Sequence, residues 1–156
     1  MADATNLGSS FDAIIYSCID GTPYVGTPTT NEEPKPLIVI PRESGITPPR
    51  FHFEQVYPNT SIPRYHITLD GRNTRGTKDG VFVGFNEEAD VWDVDFNRAE
   101  NAVLITRPDA QTISVATRVL SSYWSVNDDK IALPTSLPGQ DFTKHDFFRL
   151  EDRTVE

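Results

Sequence analysis

The sequence predicts an all-β fold on three observations. Its apolar residues occur in short runs that alternate with polar residues more often than they follow the 3.6-residue period of a helix. The runs are rich in β-branched and aromatic residues and end at Gly, Pro, Asn or Asp, as strands between turns do. The chain also has 12 prolines and 9 glycines among its 156 residues, and both residue types destabilise helix interiors.

Each third of the chain contributes such strands. The first third contains FDAIIYSC (11–18), PLIVIP (36–41) and RFHFEQVY (50–57). The middle third contains RYHITLDG (64–71), GVFVGF (80–85) and VWDVDF (91–96). The last third contains AVLITR (102–107), TISVATR (112–118), YWSV (123–126), KIALP (130–134) and HDFFRLE (145–151). The only helix candidate, around Asn97–Asn101, is too short to predict a helix.

A weak internal repeat arranges these segments in three units. An apolar segment reaches an Asp turn in AIIYSCIDG, YHITLDG and VLITRPDA. An x-Val-small step follows two of these turns, YVG at 24–26 and SVA at 114–116. The second repeat offers FVG at 82–84 only after an extra RNTRGTKDG, and the sequence leaves open whether VFVGF is the second or the third strand of its unit. Each unit then closes on an aromatic-x-apolar strand, at 51–53, 92–94 and 148–150.

Three units of four short strands predict a β-trefoil, in which six strands close a barrel and three hairpins cap it. We expect one domain over residues 1–156, with residues 1–10 as a flexible N-terminus. Asp93 and Asp95 alternate with apolar neighbours and are expected to face outward from a barrel strand. An up-and-down barrel of the lipocalin kind is the competing architecture, but its Gly-x-Trp near the first strand is missing.

Composition limits the class of protein. The 14 basic and 23 acidic residues give a net charge of −9, which argues against a nucleic-acid partner because nothing would neutralise phosphates. One cysteine cannot form an intramolecular disulfide, which fits a reducing compartment.

The start MADATNLGSS has neither a basic n-region nor an apolar h-region, and no run is long enough for a membrane span. We therefore expect a cytoplasmic protein.

No catalytic constellation stands out in the sequence. His52, His66 and His145 are too far apart for a spaced metal motif, and Cys18 lies in an apolar strand without an adjacent base. The acidic clusters lack the D-x-D-x-D-G pattern of a calcium loop. Trp92 and Trp124 are expected in the core, because they occupy non-equivalent places in their units and no Gln-x-Trp occurs. We expect no enzyme, cofactor or metal.

The most unusual segment is GTPTTNEEPKP at 26–36. Nine of the 12 prolines lie within residues 23–63, and three of those lie in this segment. Proline fixes φ and pushes the preceding residue to an extended conformation. The segment is therefore expected to be an exposed, extended and partly rigid tip, the shape that enters a protease cleft as an added strand. The alternative is an ordinary surface loop stiffened for stability.

The chain resembles the mushroom β-trefoil protease inhibitors. The similarity runs from Phe11 to Asp152 and rests on FDAIIYS, FEQVYPNTSIPRYHITLDG, NAVLITRPDAQTISVA and DFFRLED, together with the length, acidity and lack of disulfides. The resemblance is to the serine protease inhibitors of the cospin and cnispin type, and more distantly to the mycocypins, clitocypin and macrocypin. It implies a monomeric, tight-binding, reversible inhibitor of trypsin-like serine proteases, cytosolic in fungal fruiting bodies and active in defence.

Within the loop, the resemblance implies that Asn31 is the primary residue, although Asn31 could also support the loop from inside. Thr29, Thr30 and Glu32 would line the adjacent subsites, and Pro28 and Glu33 complete the binding segment. Lys35 suits the acidic pocket of trypsin by charge, but Pro36 places a ring where the leaving amide nitrogen belongs. Five other basic residues compete for this role: Arg50, Arg64, Arg75, Lys78 and Lys130.

Two further functions stay open on the sequence. An inhibitor of mycocypin type would block a papain-like cysteine protease with loops around Asp20–Pro23 and Glu43–Pro49. A β-trefoil lectin of a subtype without Gln-x-Trp would bind a sugar.

Overall fold

The computed structural model describes residues 10–28, 36–56, 63–77, 82–95, 111–117, 122–135 and 143–155. These residues form an all-β fold, as the sequence predicts. They contain twelve strands, and their helical structure is limited to the short 3₁₀ helices Arg42–Ser44 and Lys144–Asp146. No helix among them is long and apolar enough to cross a membrane.

Most strands overlap a predicted segment, and β6 is the exception described below. The strands are β1 (Ser10–Ser17), β2 (Tyr24–Gly26), β3 (Ile38–Ile40), β4 (Phe51–Val56), β5 (Arg64–Leu69), β6 (Arg72–Gly76), β7 (Val83–Asn86), β8 (Trp92–Asp95), β9 (Gln111–Thr117), β10 (Ser125–Asn127), β11 (Lys130–Ala132) and β12 (Phe148–Val155). Three segments discussed above lie outside the described residues: the predicted strand at 102–107, the short helix candidate Asn97–Asn101 and most of the expected flexible N-terminus.

Six of the strands pair in a closed ring. β1 pairs with β4, β4 with β5, β5 with β8, β8 with β9, β9 with β12, and β12 with β1, all antiparallel. Each ring strand therefore has a partner along both edges, so its backbone groups are hydrogen-bonded without a free sheet edge. The predicted closing strands of the three units, β4, β8 and β12, all belong to this ring.

The other six strands form three hairpins that contact one another. The hairpins are β2–β3, β6–β7 and β10–β11. Lys130 of β11 pairs with Ile38 of β3, and isolated bridges join Pro36 to Gly84 and Phe82 to Ala132. Each hairpin is thus joined to the two others by backbone hydrogen bonds.

Strand β6 shows that RNTRGTKDG is not simply extra sequence, and that VFVGF contributes the third strand of its unit. Residues 72–76 of that segment form a strand that pairs with β5 and β7. Asp70 and Gly71, with φ of 52° and 78°, make the two-residue turn that Asp-Gly favours between hairpin strands. The strand was missed because it carries no apolar side chain. Its buried residue is Thr74, whose hydroxyl donates to the Ile67 carbonyl and accepts from the Trp92 indole.

Strand β9 corrects the alignment of SVA with YVG. Residues 114–116 lie in a ring strand that pairs with β8 and β12, whereas YVG forms β2 of a hairpin. The two triplets share a pattern but not a place in the topology, because a three-residue match is too short to fix which strand of a unit it belongs to.

The core lies inside the ring and beneath the hairpins. It contains both tryptophans, which are fully buried with ring centroids 5.3 Å apart in an edge-to-face contact. This confirms the prediction that Trp92 and Trp124 are core residues. Phe11 and Phe53, from the paired strands β1 and β4, stack at 4.6 Å, and these aromatic contacts add to the stabilisation from burial.

Asp93 is more buried than its alternating pattern predicts. It lies between the core residues Trp92 and Val94, and only 3% of its surface is exposed. Its carboxylate accepts a hydrogen bond of 3.0 Å from the Arg64 guanidinium on the neighbouring strand β5. A buried carboxylate needs such a partner because it is removed from water.

Candidate functional site

The predicted reactive loop begins and ends on one hairpin. Gly26 at the end of β2 pairs with Ile38 at the start of β3, so the eleven residues between them leave and return at adjacent points. Pro28 is half-buried on the entering side. The other predicted binding residues, Thr29, Thr30, Asn31, Glu32 and Glu33, lie outside the described residues.

The returning side of this loop is held by both neighbouring hairpins. Leu37 is fully buried. Its backbone N–H donates to the Val83 carbonyl at 2.9 Å, and its carbonyl accepts from the Ile131 N–H at 3.0 Å. Two residues later, the Val39 N–H donates to the Asp129 carbonyl at 2.9 Å. The base of the loop is therefore part of the hydrogen-bonded hairpin assembly.

Arg50 is one of the basic residues that compete for the primary position. Its side chain is hydrogen-bonded to strand β12. Its guanidinium donates to the Asp152 carbonyl at 2.6 Å and to the Thr154 hydroxyl at 2.7 Å. Asp152 has a φ of 58° at a register shift between β1 and β12. Arg50 thus satisfies a carbonyl at a β-bulge, which is a structural role.

The other competing basic residues are engaged as well where the structure describes them. Arg64 binds Asp93, as stated above. Arg75 donates to the Glu88 carboxylate at 2.6 Å, and the Lys130 ammonium lies 5.0 Å from the centre of the Phe82 ring. Lys78 lies outside the described residues. None of the four described candidates presents an isolated charge for an acidic specificity pocket.

A second surface is formed by the β1–β2 loop (residues 18–23) and the β3–β4 loop (residues 41–50), and we call it the two-loop surface. In the β1–β2 loop, Gly21 and Thr22 have φ of 83° and 40°. A β-branched residue in the left-handed region is strained by roughly 1–3 kcal/mol and persists only where its surroundings hold it. Such strain is common at binding sites, so it draws attention to this loop.

Arg42 connects the two loops. Its Nε donates to the carbonyl of the strained Thr22 at 2.8 Å, and its Nη2 donates to the Glu151 carboxylate at 3.2 Å. The guanidinium also lies 3.9 Å from the centre of the Tyr16 ring. Glu151 accepts in addition from the buried Arg149 at 2.6 Å. The β3–β4 loop is therefore fixed both to the β1–β2 loop and to ring strand β12.

Ile46 stands out on the β3–β4 loop. With 51% of its surface accessible, it is the one large apolar side chain exposed among the described residues. It follows Gly45, whose φ of 81° makes the left-handed turn that ends the 3₁₀ helix. Its N–H donates to the Ser44 hydroxyl at 3.3 Å, and that hydroxyl lies 3.5 Å from the Tyr24 hydroxyl. The backbone beside the exposed side chain is thus tied to β2.

The ionisable groups near the two-loop surface do not form a nucleophilic site. Burial raises the pKa of the Cys18 thiol to about 11, although the Arg149 charge opposes this. Cys18 is therefore a neutral thiol at physiological pH and a poor nucleophile. The exposed Asp20 receives a hydrogen bond of 2.9 Å from Lys144, and this contact lowers the pKa of its carboxyl.

The three histidines lie on β4, β5 and the 3₁₀ helix Lys144–Asp146, and His52 and His66 are diagonal neighbours in the β4–β5 pair. His52 Nδ1 lies 2.7 Å from the Asp12 carboxylate, and His145 Nδ1 lies 3.3 Å from the Thr143 hydroxyl. His66 is opposite Glu54 in the β4–β5 pair. Within the part of the chain that the structure describes, no group of three or more His, Cys, Asp or Glu could hold a metal ion.

Comparison with known proteins adds no assignment. No protein-family model matches this sequence, and no curated protein is significantly similar to it. A function for this chain therefore has to be argued from its own residues and geometry.

Proposed function

We propose that the chain is a β-trefoil protease inhibitor, and that the loop Gly26–Pro36 binds in the active-site cleft of a trypsin-like serine protease. The closed ring of six strands and the three mutually bonded hairpins support the trefoil architecture. The repeat of three closing aromatic strands in the sequence supports it as well. The cytoplasmic location and the defensive role that the resemblance implies belong to the same proposal.

The observation that carries the proposal is the attachment of the loop base. Gly26 and Ile38 pair, and Leu37 is buried and hydrogen-bonded to the two other hairpins. An inhibitory loop must resist cleavage while it lies in the cleft, so its ends have to stay in place. A fixed base and three prolines in the loop, at 28, 34 and 36, also lower the entropy lost on binding.

Asn31 is the proposed primary residue. The four described basic competitors all have partners within the fold, so an uncharged residue at the loop centre is the better candidate. Thr29, Thr30 and Glu32 would contact the adjacent subsites. The net charge of −9 would speed encounter with a basic protease by electrostatic steering.

The test is titration of trypsin with wild-type protein and with Asn31→Ala. We expect stoichiometric inhibition by the wild type and an inhibition constant at least about tenfold higher for Asn31→Ala, because a buried contact in the specificity pocket is lost. Asn86→Ala is the matched control, since Asn86 is exposed and its side-chain carbonyl accepts a hydrogen bond from the Glu88 N–H in its own turn. No inhibition by the wild type would contradict the function. If Asn31→Ala inhibits trypsin as strongly as the wild type does, the primary contact lies elsewhere.

Inhibition of a papain-like cysteine protease is the second candidate function. The two-loop surface favours it, because Thr22 is strained and Ile46 is exposed on one connected surface. Two adjacent loops of this kind can block a cleft without entering it as a substrate does. A papain assay tests this function, and full papain activity at micromolar protein would contradict it.

A further inference from the structure

We propose that His52 and His66 form a two-histidine site on the outer face of strands β4 and β5 that binds a late first-row divalent transition metal ion, with Cu²⁺ bound most tightly. These residues belong to neither candidate protease-binding surface, and the inference does not depend on the proposed function. The two histidines are 14 residues apart in the sequence, so their spacing indicates no metal motif.

The register of the β4–β5 pair brings the two histidines together. His52 is opposite Thr68, and His66 is opposite Glu54, so the two imidazoles are diagonal neighbours on one face of the pair. Diagonal neighbours in an antiparallel pair lie roughly 7–8 Å apart, within reach of long side chains. Both rings can therefore ligate one ion placed between them.

This face of the two strands points away from the core. Phe53 and Ile67, which alternate with the histidines along their strands, are buried, whereas both histidines are half-buried. Because a strand directs successive side chains to opposite faces, the imidazoles lie on the outside of the ring. An ion can reach them there from solvent.

Asp12 orients the His52 ring. It is opposite His52 on β1, and its carboxylate lies 2.7 Å from His52 Nδ1. In a neutral imidazole that contact holds the proton on Nδ1, so the lone pair that ligates a metal is on Nε2. Histidines that bind metals commonly have a carboxylate on their second nitrogen in this way. Asp12 is thus a positioning residue.

The His66 ring has no competing contact, and a carboxylate lies beside it. Among the described residues it has no hydrogen-bond or ion-pair partner. Glu54 is opposite it and exposed, whereas Arg64, the cation on the same face of β5, is paired with Asp93. The negative charge of Glu54 therefore favours a cation between the two histidines.

The ligand set determines the kind of ion. The part of the chain that the structure describes holds no group of three or more His, Cys, Asp or Glu that could bind a metal, so water completes the coordination of this two-imidazole site. Such a site lacks the oxygen cage that Ca²⁺ and Mg²⁺ require. Imidazole suits Cu²⁺, Ni²⁺ and Zn²⁺, and Cu²⁺ forms the most stable complexes of the three.

The experiment is isothermal titration calorimetry of the full-length protein with CuCl₂, NiCl₂ and ZnCl₂ at about pH 7.5, where ordinary imidazole is neutral. We expect one Cu²⁺ per chain, weaker binding of Ni²⁺ and Zn²⁺, and no binding of Mg²⁺. His52→Gln and His66→Gln should each weaken Cu²⁺ binding at least about tenfold, because the second imidazole acts at a high effective concentration once the first holds the ion. His145→Gln is the matched control, since His145 is exposed and its ring contacts Thr143.

Two further measurements separate ligation from a structural role. The electron paramagnetic resonance spectrum of the Cu²⁺ complex should show two imidazole nitrogens in the wild type and in His145→Gln. Asp12→Asn should weaken Cu²⁺ binding about tenfold while both nitrogens remain. Because the ion joins β4 to β5 only in the folded state, Ni²⁺ should raise the free energy of unfolding of the wild type but not of His66→Gln.

Several results would overturn the inference. A wild-type protein that binds none of the three ions contradicts it, and so does equal Cu²⁺ affinity of the wild type and His66→Gln. A loss of affinity in His145→Gln as large as that in His66→Gln contradicts the pairing of His52 with His66. A loss confined to His52→Gln assigns the ion to a single histidine beside Asp12 and contradicts the two-histidine site.

Discussion

At the scale of single residues, Cys18 gives a test that needs no protease. Burial raises the pKa of its thiol from 9.0 to about 11, so the thiolate fraction at pH 8 is about a thousandth. We expect the folded protein to react with a thiol reagent at pH 8 far more slowly than the urea-unfolded protein. The rate should rise as the pH approaches 11. A folded-state rate equal to that of a free cysteine would contradict the burial of this group.

Some residue-level features follow from the sequence, and others depend on distant parts of the chain. The non-equivalent places of Trp92 and Trp124 in their units, and the absence of Gln-x-Trp, correctly predicted that both lie in the core. Alternation did not predict the burial of Asp93, which depends on Arg64 from another strand. Arg42 contacts Thr22 and Glu151, which are 20 and 109 residues away. No local pattern can indicate such a residue.

At the scale of elements, β6 shows how a polar strand is held in place. Thr74 is its buried residue and forms two hydrogen bonds, one with the Ile67 carbonyl and one with the Trp92 indole. The strand therefore contributes polar contacts to the interior where other strands contribute apolar ones.

Thr74→Val tests this role. The two side chains have similar shape, but valine leaves the Ile67 carbonyl and the Trp92 N–H without their partner. We expect the free energy of unfolding to fall by about 2 kcal/mol in urea denaturation. Thr68→Val on β5 is the control, since Thr68 is only half-buried. Equal stability of Thr74→Val and wild type would show that the hydroxyl contacts are unimportant.

Strand prediction succeeded where apolar residues alternate and failed where they are absent. Ten predicted segments lie wholly or partly in the described residues, and each overlaps a strand there. The predicted strand at 145–151 begins later, at Phe148, because Thr143 and Asp146 form a capping box around the 3₁₀ helix Lys144–Asp146. The error at SVA has a different origin, since a repeat of three residues does not fix topology.

At the scale of the whole molecule, the ring and the hairpins form a hydrogen-bonded scaffold that carries the loops. The ring and hairpins hold the described loop ends with backbone hydrogen bonds, so the residues between those ends can vary without changing the core. The two-loop surface and the Gly26–Pro36 loop lie at opposite ends of the same short hairpin, β2–β3. The prolines predicted where the Gly26–Pro36 loop lies along the chain. Its central residues, 29–35, lie outside the described residues.

The most direct test of the account is hydrogen–deuterium exchange of the complex with trypsin. If the Gly26–Pro36 loop enters the cleft, peptides covering residues 26–38 should gain the largest protection on binding. Peptides covering residues 41–50 and the ring strand β8 should change little. Protection concentrated in any other loop, with residues 26–38 exchanging as fast as in the free protein, would contradict the central claim.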